Sequence, residues 1–234
     1  MHFGESRTTT ERSTYRYKMK KNIVLFVLFV LPIVAYLFFA SGVNSFTKIP
    51  TLTPEIPEFG NWQSLRNDSV KLQNKITVLA FGGLDLQQNR GNIYNLNLNI
   101  YKRYHEFKDL QFVYICPQGT QKDAQLIVDA LKTNIDTKQW NFVFADTTTI
   151  RKYYNQLKLK KDKLNNNFGS EFAYLVDKNR NLRGRKDNDP KTYNEGYSTF
   201  HPSELKNVMI DDFKILLYEY RAALKKNKNA ERRI

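Results

Sequence analysis

The stretch Lys75-Ile-Thr-Val-Leu-Ala-Phe81, closed by Gly82-Gly83, decides the fold class. A short, β-branched apolar run stopped by two glycines is the pattern of a strand buried on both faces. Reading outward, Asn92 to Phe107 sets Ile93, Leu96, Ile100, Tyr104 and Phe107 at three- and four-residue steps, which predicts an amphipathic helix. Leu110 to Ile115 reads as a second strand and Asp123 to Lys132 as a second helix. Trp140 to Ala145 reads as a third strand, and Thr147 to Leu157 as a third helix capped by Asp146 or Thr147. Phe172 to Asp177 is a fourth strand that turns at Asp177-Lys-Asn-Arg-Asn181 and returns over Leu182 to Lys186. Pro202 and Ser203 open a long final helix to about Lys225, with Met209 among its core residues. Asp68-Ser-Val-Lys-Leu72 is expected to form a short strand ahead of the first.

Strands alternating with helices, then a hairpin and a C-terminal helix, describe an α/β sandwich. Right-handed crossovers make the first three strands parallel, and the hairpin adds antiparallel partners. The expectation is a thioredoxin-like sandwich: a central mixed sheet flanked by helices.

Composition narrows the chemistry. The 234 residues are 41% hydrophobic and 26% charged, which excludes disordered and collagen-like classes. The single cysteine, Cys116, excludes an intrachain disulfide and a cysteine-only metal cluster. Three histidines, His2, His105 and His201, leave little from which to build a zinc enzyme. The formal charge of +14 points to an anionic partner or a membrane surface.

Ile23 to Ala40 is a run of 18 residues without a charge. At 1.5 Å per residue that approaches the roughly 30 Å of a bilayer core. Six basic residues between Arg7 and Lys21 face only Glu5 and Glu11, which by the positive-inside rule keeps the N-terminus cytoplasmic and exports the rest. A cleaved signal peptide is the competing reading, since Ala40-Ser-Gly42 offers small residues for cleavage. The expected organisation is a cytoplasmic basic tail (1–21), a transmembrane anchor (22–41), a proline-bearing extended spacer (42–60), a thioredoxin-like domain (61–225) and a basic C-terminal tail (226–234). The expected location is therefore the inner membrane, single-pass, with the domain in the periplasm.

The anchor, the spacer, the strand running into Phe81-Gly82, and the hairpin followed by Arg183-Gly184 resemble the Sco/SenC family. That resemblance covers roughly Ile56 to Tyr220. It implies a membrane-anchored, thioredoxin-like copper chaperone of cytochrome oxidase assembly. The family carries a Cys-x-x-x-Cys motif after the strand and a histidine before the later one, a donor set suited to Cu(I). The resemblance places Leu86 and Arg90 at the two cysteine positions. The stretch Asn165-Asn-Asn-Phe-Gly-Ser-Glu171 contains no histidine. No cofactor, metal ligand or catalytic residue is therefore expected.

The other reactive side chains have structural readings. Cys116, beside Pro117, reads as a packed thiol. His105 reads as a helix-end residue and His201 as a turn residue before Pro202. Gly82-Gly83 matches no phosphate-loop pattern, Asp85 has no paired base, and Asp187-Asn-Asp-Pro190 reads as a turn. No aromatic–basic signature of nucleic-acid readers is present, so the basic excess points to anionic lipid headgroups or an acidic envelope protein. The expected function is a non-catalytic binding or assembly module. The alternative is a thiol-dependent reductase or peroxidase using Cys116.

Overall fold

The structure is a computed structural model that describes residues 24–37, 48–185 and 194–231. The chain divides into two compact units, Met1–Phe46 and Thr47–Ile234. In the first, residues 24–37 form helix α1. Among the described residues no helix is long and apolar enough to cross a membrane. The expected anchor is described only over α1. The N-terminal tail, the 186–190 turn and residues 232–234 lie outside the described residues.

Among the described residues of the second unit there are eight strands: β1 (Thr51–Thr53), β2 (Gln63–Ser64), β3 (Ile76–Gly82), β4 (Leu110–Pro117), β5 (Trp140–Ala145), β6 (Gly169–Val176), β7 (Leu182–Arg183) and β8 (Tyr197–Ser198). Their order is β1-β7-β6-β3-β4-β5-β2, with β8 paired to β6. As expected, β3, β4 and β5 run parallel, and β6 lies antiparallel to β3. Every residue of β3 is buried because alternate side chains enter two cores. Val78 and Ala80 join one core; Leu79 and Phe81 join the other.

The first core is closed by α2 (Arg90–Leu96), α4 (Gln121–Lys132) and α7 (Ile210–Glu231), through residues such as Ile93, Ile127 and Phe213. The second is closed by α5 (Thr147–Gln156), through Ile150, Tyr153 and Tyr154. Asp146 caps α5, its Oδ1 accepting from the Thr149 amide at 2.9 Å. The helix predicted over 92–107 starts at Arg90 and passes through a π turn, Asn97–Tyr101, into α3 (Lys102–Tyr104). The final helix likewise begins as α6 (Pro202–Glu204), followed by a π turn at Leu205–Met209. The two π turns pack against each other.

Two expectations are corrected. Residues 68–72 form no strand; their place is held by loop, with Leu72 buried and its amide donating to Glu58 at 2.7 Å. The spacer assigned to 42–60 is in part folded structure. Its Thr51–Thr53 pairs antiparallel with β7, and Ile49, Ile56 and Phe59 are buried. Burial of these apolar residues holds the segment on the sheet despite its prolines.

Candidate functional site

A cavity of about 200 Å³ opens at the carboxyl end of β3. Phe81, Gly82, Leu86, Ile93 and Tyr114 supply its sheet and helix side, with Asn89 and Asn92 from the start of α2. Asn165, Ser170 and Glu171 come from the loop entering β6, and Phe200 from the segment before α6. This is where the family resemblance places its ligand loop, and parallel strand ends are where α/β folds generally bind.

Gly83 explains how the two loops meet. Its φ of +72° suits glycine, and a Cβ there would lie 2.8 Å from both the Asn167 carbonyl and the Gly169 nitrogen. That closeness lets the Leu84 amide donate to the Asn167 carbonyl at 2.8 Å. Asp85 accepts a hydrogen bond from the Asn167 side-chain amide. Asn165 Oδ1 organises the facing loop by accepting from the amides of Asn167 and Gly169, both at 2.9 Å.

The expected cysteine positions are both brought to this end of the sheet. Leu86 is buried; a Cβ on Gly82 would fall 2.6 Å from its Cδ1 and 2.9 Å from the Cys116 sulfur. Gly82 is therefore the spacer that lets Leu86 and Cys116 pack over the strand. Arg90 opens α2 and turns its guanidinium back to the Gln87 carbonyl at 3.0 Å. Hydrocarbon and a permanent cation thus stand where thiolates would be needed.

Cys116 lies inside β4, paired with Phe144, with no exposed surface. Burial pushes its thiol far above the usual range, which keeps it protonated and unreactive. His105 Nδ1 lies 3.1 Å from the Lys102 carbonyl, and His201 Nδ1 lies 3.1 Å from Ser198 Oγ; both serve local turns. Met209 is a core residue, as expected. Among the described residues, no three His, Cys, Asp or Glu side chains converge to hold a metal. The sequence reading missed Asn89, Asn92, Tyr114, Ser170, Glu171 and Phe200 as cavity residues. The one signal in the sequence was the run of polar residues from Asn165 to Glu171.

No family model matches the chain, and no curated protein matches it. Solved structures do. A SCO1/SenC family lipoprotein from Bacillus anthracis superposes with a TM-score of 0.52 at 15% identity, covering 72% of this chain and 99% of its own. A candidate protein disulfide isomerase from Bacteroides thetaiotaomicron gives 0.50 at 9% identity, covering 76% and 99%. The chain has a thioredoxin-like fold similar to that of a SCO1/SenC lipoprotein, with no thiol at the positions where the resemblance places a cysteine pair.

Proposed function

We propose that the chain is a membrane-anchored, Sco/SenC-like module of the cell envelope that binds or assembles rather than catalyses. The carrying observation is the placement of the sole thiol: Cys116 is sealed inside β4, while the loop end of β3 carries the buried Leu86 and the exposed Arg90. A reductase or peroxidase built on Cys116 would need a reachable, low-pKa thiolate, usually at a helix N-terminus. Burial opposes both requirements. The anchor reading rests on the uncharged run 23–40 and its basic flank. The exposure of Phe26, Leu28 and Phe29 on α1, an apolar surface suited to lipid, adds to it. Anionic headgroups or an acidic envelope protein fit the +14 charge.

Competition for Cu(I) against a chelator tests the loss of copper chemistry. The full chain is expected to bind weakly, and Cys116→Ser to change nothing. Stoichiometric binding that survives excess chelator and disappears in Cys116→Ser would overturn the reading.

A further inference from the structure

The amino ends of β3 and β4 lie at the other end of the sheet from the cavity, and they gather cations. There the Ile76 amide donates to the Asp109 carbonyl at 2.8 Å, and the Lys75 ammonium reaches across to the Lys108 carbonyl at 3.0 Å. That bond brings one lysine's charge to the backbone of another, and neither lysine forms an ion pair among the described residues. Lys178, just past β6, joins them through its ion pair with Asp109. Of the neighbouring carboxylates, Asp109 is paired with Lys178, and Asp177 and Glu219 with Arg183. Cations gathered at a surface repel one another unless an anion meets them from outside.

Two independent features mark the same end. The first is aromatic. The Lys178 ammonium lies 5.2 Å from the Tyr220 ring, and the Arg221 guanidinium 5.9 Å from the Phe107 ring; both rings are half-buried. Aromatic bodies capped by basic tips suit the boundary between water and lipid. Past Arg221 the sequence of α7 adds Lys225, Lys226 and Lys228 before Glu231.

The second feature is where the chain enters. The Ile49 amide donates to Glu219 at 3.2 Å, two residues before Arg221 in α7, and the exposed Lys48 precedes it. Eight residues separate Ala40, the end of the uncharged run, from Ile49. At about 3.3–3.6 Å per extended residue, a bilayer holding that run stays within roughly 30 Å of Ile49. A surface kept so near acts at a high effective concentration, which favours lipid over a freely diffusing acidic protein.

We propose that this end of the domain, with Lys48, Lys75, Lys108, Lys178 and Arg221, docks on the surface of a bilayer containing anionic phospholipid. The proposal rests on the anchored reading given above and names the surface that the basic excess serves. Each cation close to an anionic leaflet strengthens the association roughly five-fold, and salt weakens it.

The test is hydrogen exchange of the full chain in nanodiscs of phosphatidylcholine alone or with phosphatidylglycerol. The amides of 105–110 and 177–181 are expected to exchange roughly five-fold more slowly with phosphatidylglycerol, and high salt should remove the difference. Lys75→Gln/Lys108→Gln is expected to abolish that protection with the thermal unfolding midpoint in place. Lys122→Gln/Lys152→Gln, which removes the same charge from α4 and α5, is expected to keep it. Equal exchange in both lipids, protection that survives Lys75→Gln/Lys108→Gln, or equal loss in both double variants overturns the proposal. So does equal protection on neutral nanodiscs by inorganic phosphate, which would mark a free-anion site, or by a poly-glutamate peptide, which would mark an acidic protein surface. Retention on neutral nanodiscs at high salt reports on the anchor separately. A retained chain with no lipid-dependent protection sinks the docking face alone, whereas a chain lost from neutral nanodiscs overturns the anchor and this proposal with it.

Discussion

The two ends of β6 carry opposite kinds of polar chemistry. At its far end, beyond Val176, Arg183 is held in a closed network. Its Nη1 donates to Asp177 Oδ2 at 2.8 Å and its Nη2 to Glu219 Oε2 at 2.9 Å, while its Nε donates to the Ile49 carbonyl at 2.9 Å. The Ile49 amide in turn donates to Glu219 at 3.2 Å, and Asp177 Oδ1 accepts from the amides of Asn179 and Asn181. These bonds tie the segment before β1, the β6–β7 hairpin and α7 together. At the near end, Ser170 and Asn165 are hydrogen-bonded within their own loop, while the exposed Glu171 at the cavity makes no side-chain hydrogen bond among the described residues. One end has its donors and acceptors matched within the protein, which is what fastening requires. The other end leaves its carboxylate open to solvent.

The largest consequence falls on the closed end. Arg183→Met leaves the buried Asp177 and the partly buried Glu219 without their cation, and should cost about 3–5 kcal/mol in urea unfolding. Glu171→Gln at the open end should change stability by less than about 0.5 kcal/mol. A loss below about 1 kcal/mol for Arg183→Met would erase the distinction between the two ends. Gly83→Ala comes next. Its positive φ and the backbone atoms 2.8 Å from the new Cβ should cost about 1–3 kcal/mol and separate the two loops, read as a lower unfolding midpoint.

The smallest effect is a pH dependence. Burial, with the charge of Glu195, pushes the Asp162 carboxyl up to about 6, above its ordinary value of about 3.9. The folded state therefore takes up a proton before the unfolded one does, and stability falls as pH rises through that window. Thermal unfolding should show a higher midpoint at about pH 5 than at about pH 7 from this group, and Asp162→Asn should flatten the difference. Asp136 and Asp146, both held below the usual carboxylate range by hydrogen bonds, titrate outside that window.

The long, fully buried strands were legible because composition alone marks them. Trp140–Ala145 has the same limits in sequence and structure, and Ile76–Phe81 gains only Gly82. The short edge strands were not, since Thr51–Thr53 and Gln63–Ser64 are too brief to show a period of two. The two π turns leave hydrophobic spacing nearly unchanged, so the helices around Asn97 and Leu205 read as ordinary α-helix. At the site, what is missing was legible: Leu86 and Arg90 cannot serve as thiolates. What is present was not, because Asn89, Tyr114 and Phe200 come from separate elements and share a cavity only through the fold.

Labelling of Cys116 by a thiol reagent, in the native full chain and as a function of pH, bears most directly on whether this thioredoxin-like fold has given up thiol chemistry. Burial in β4 should leave the thiol unlabelled below about pH 9, with complete labelling once denaturant unfolds the chain. Rapid labelling of the native protein with a half-point below about pH 7 would reveal an accessible thiolate and contradict that conclusion.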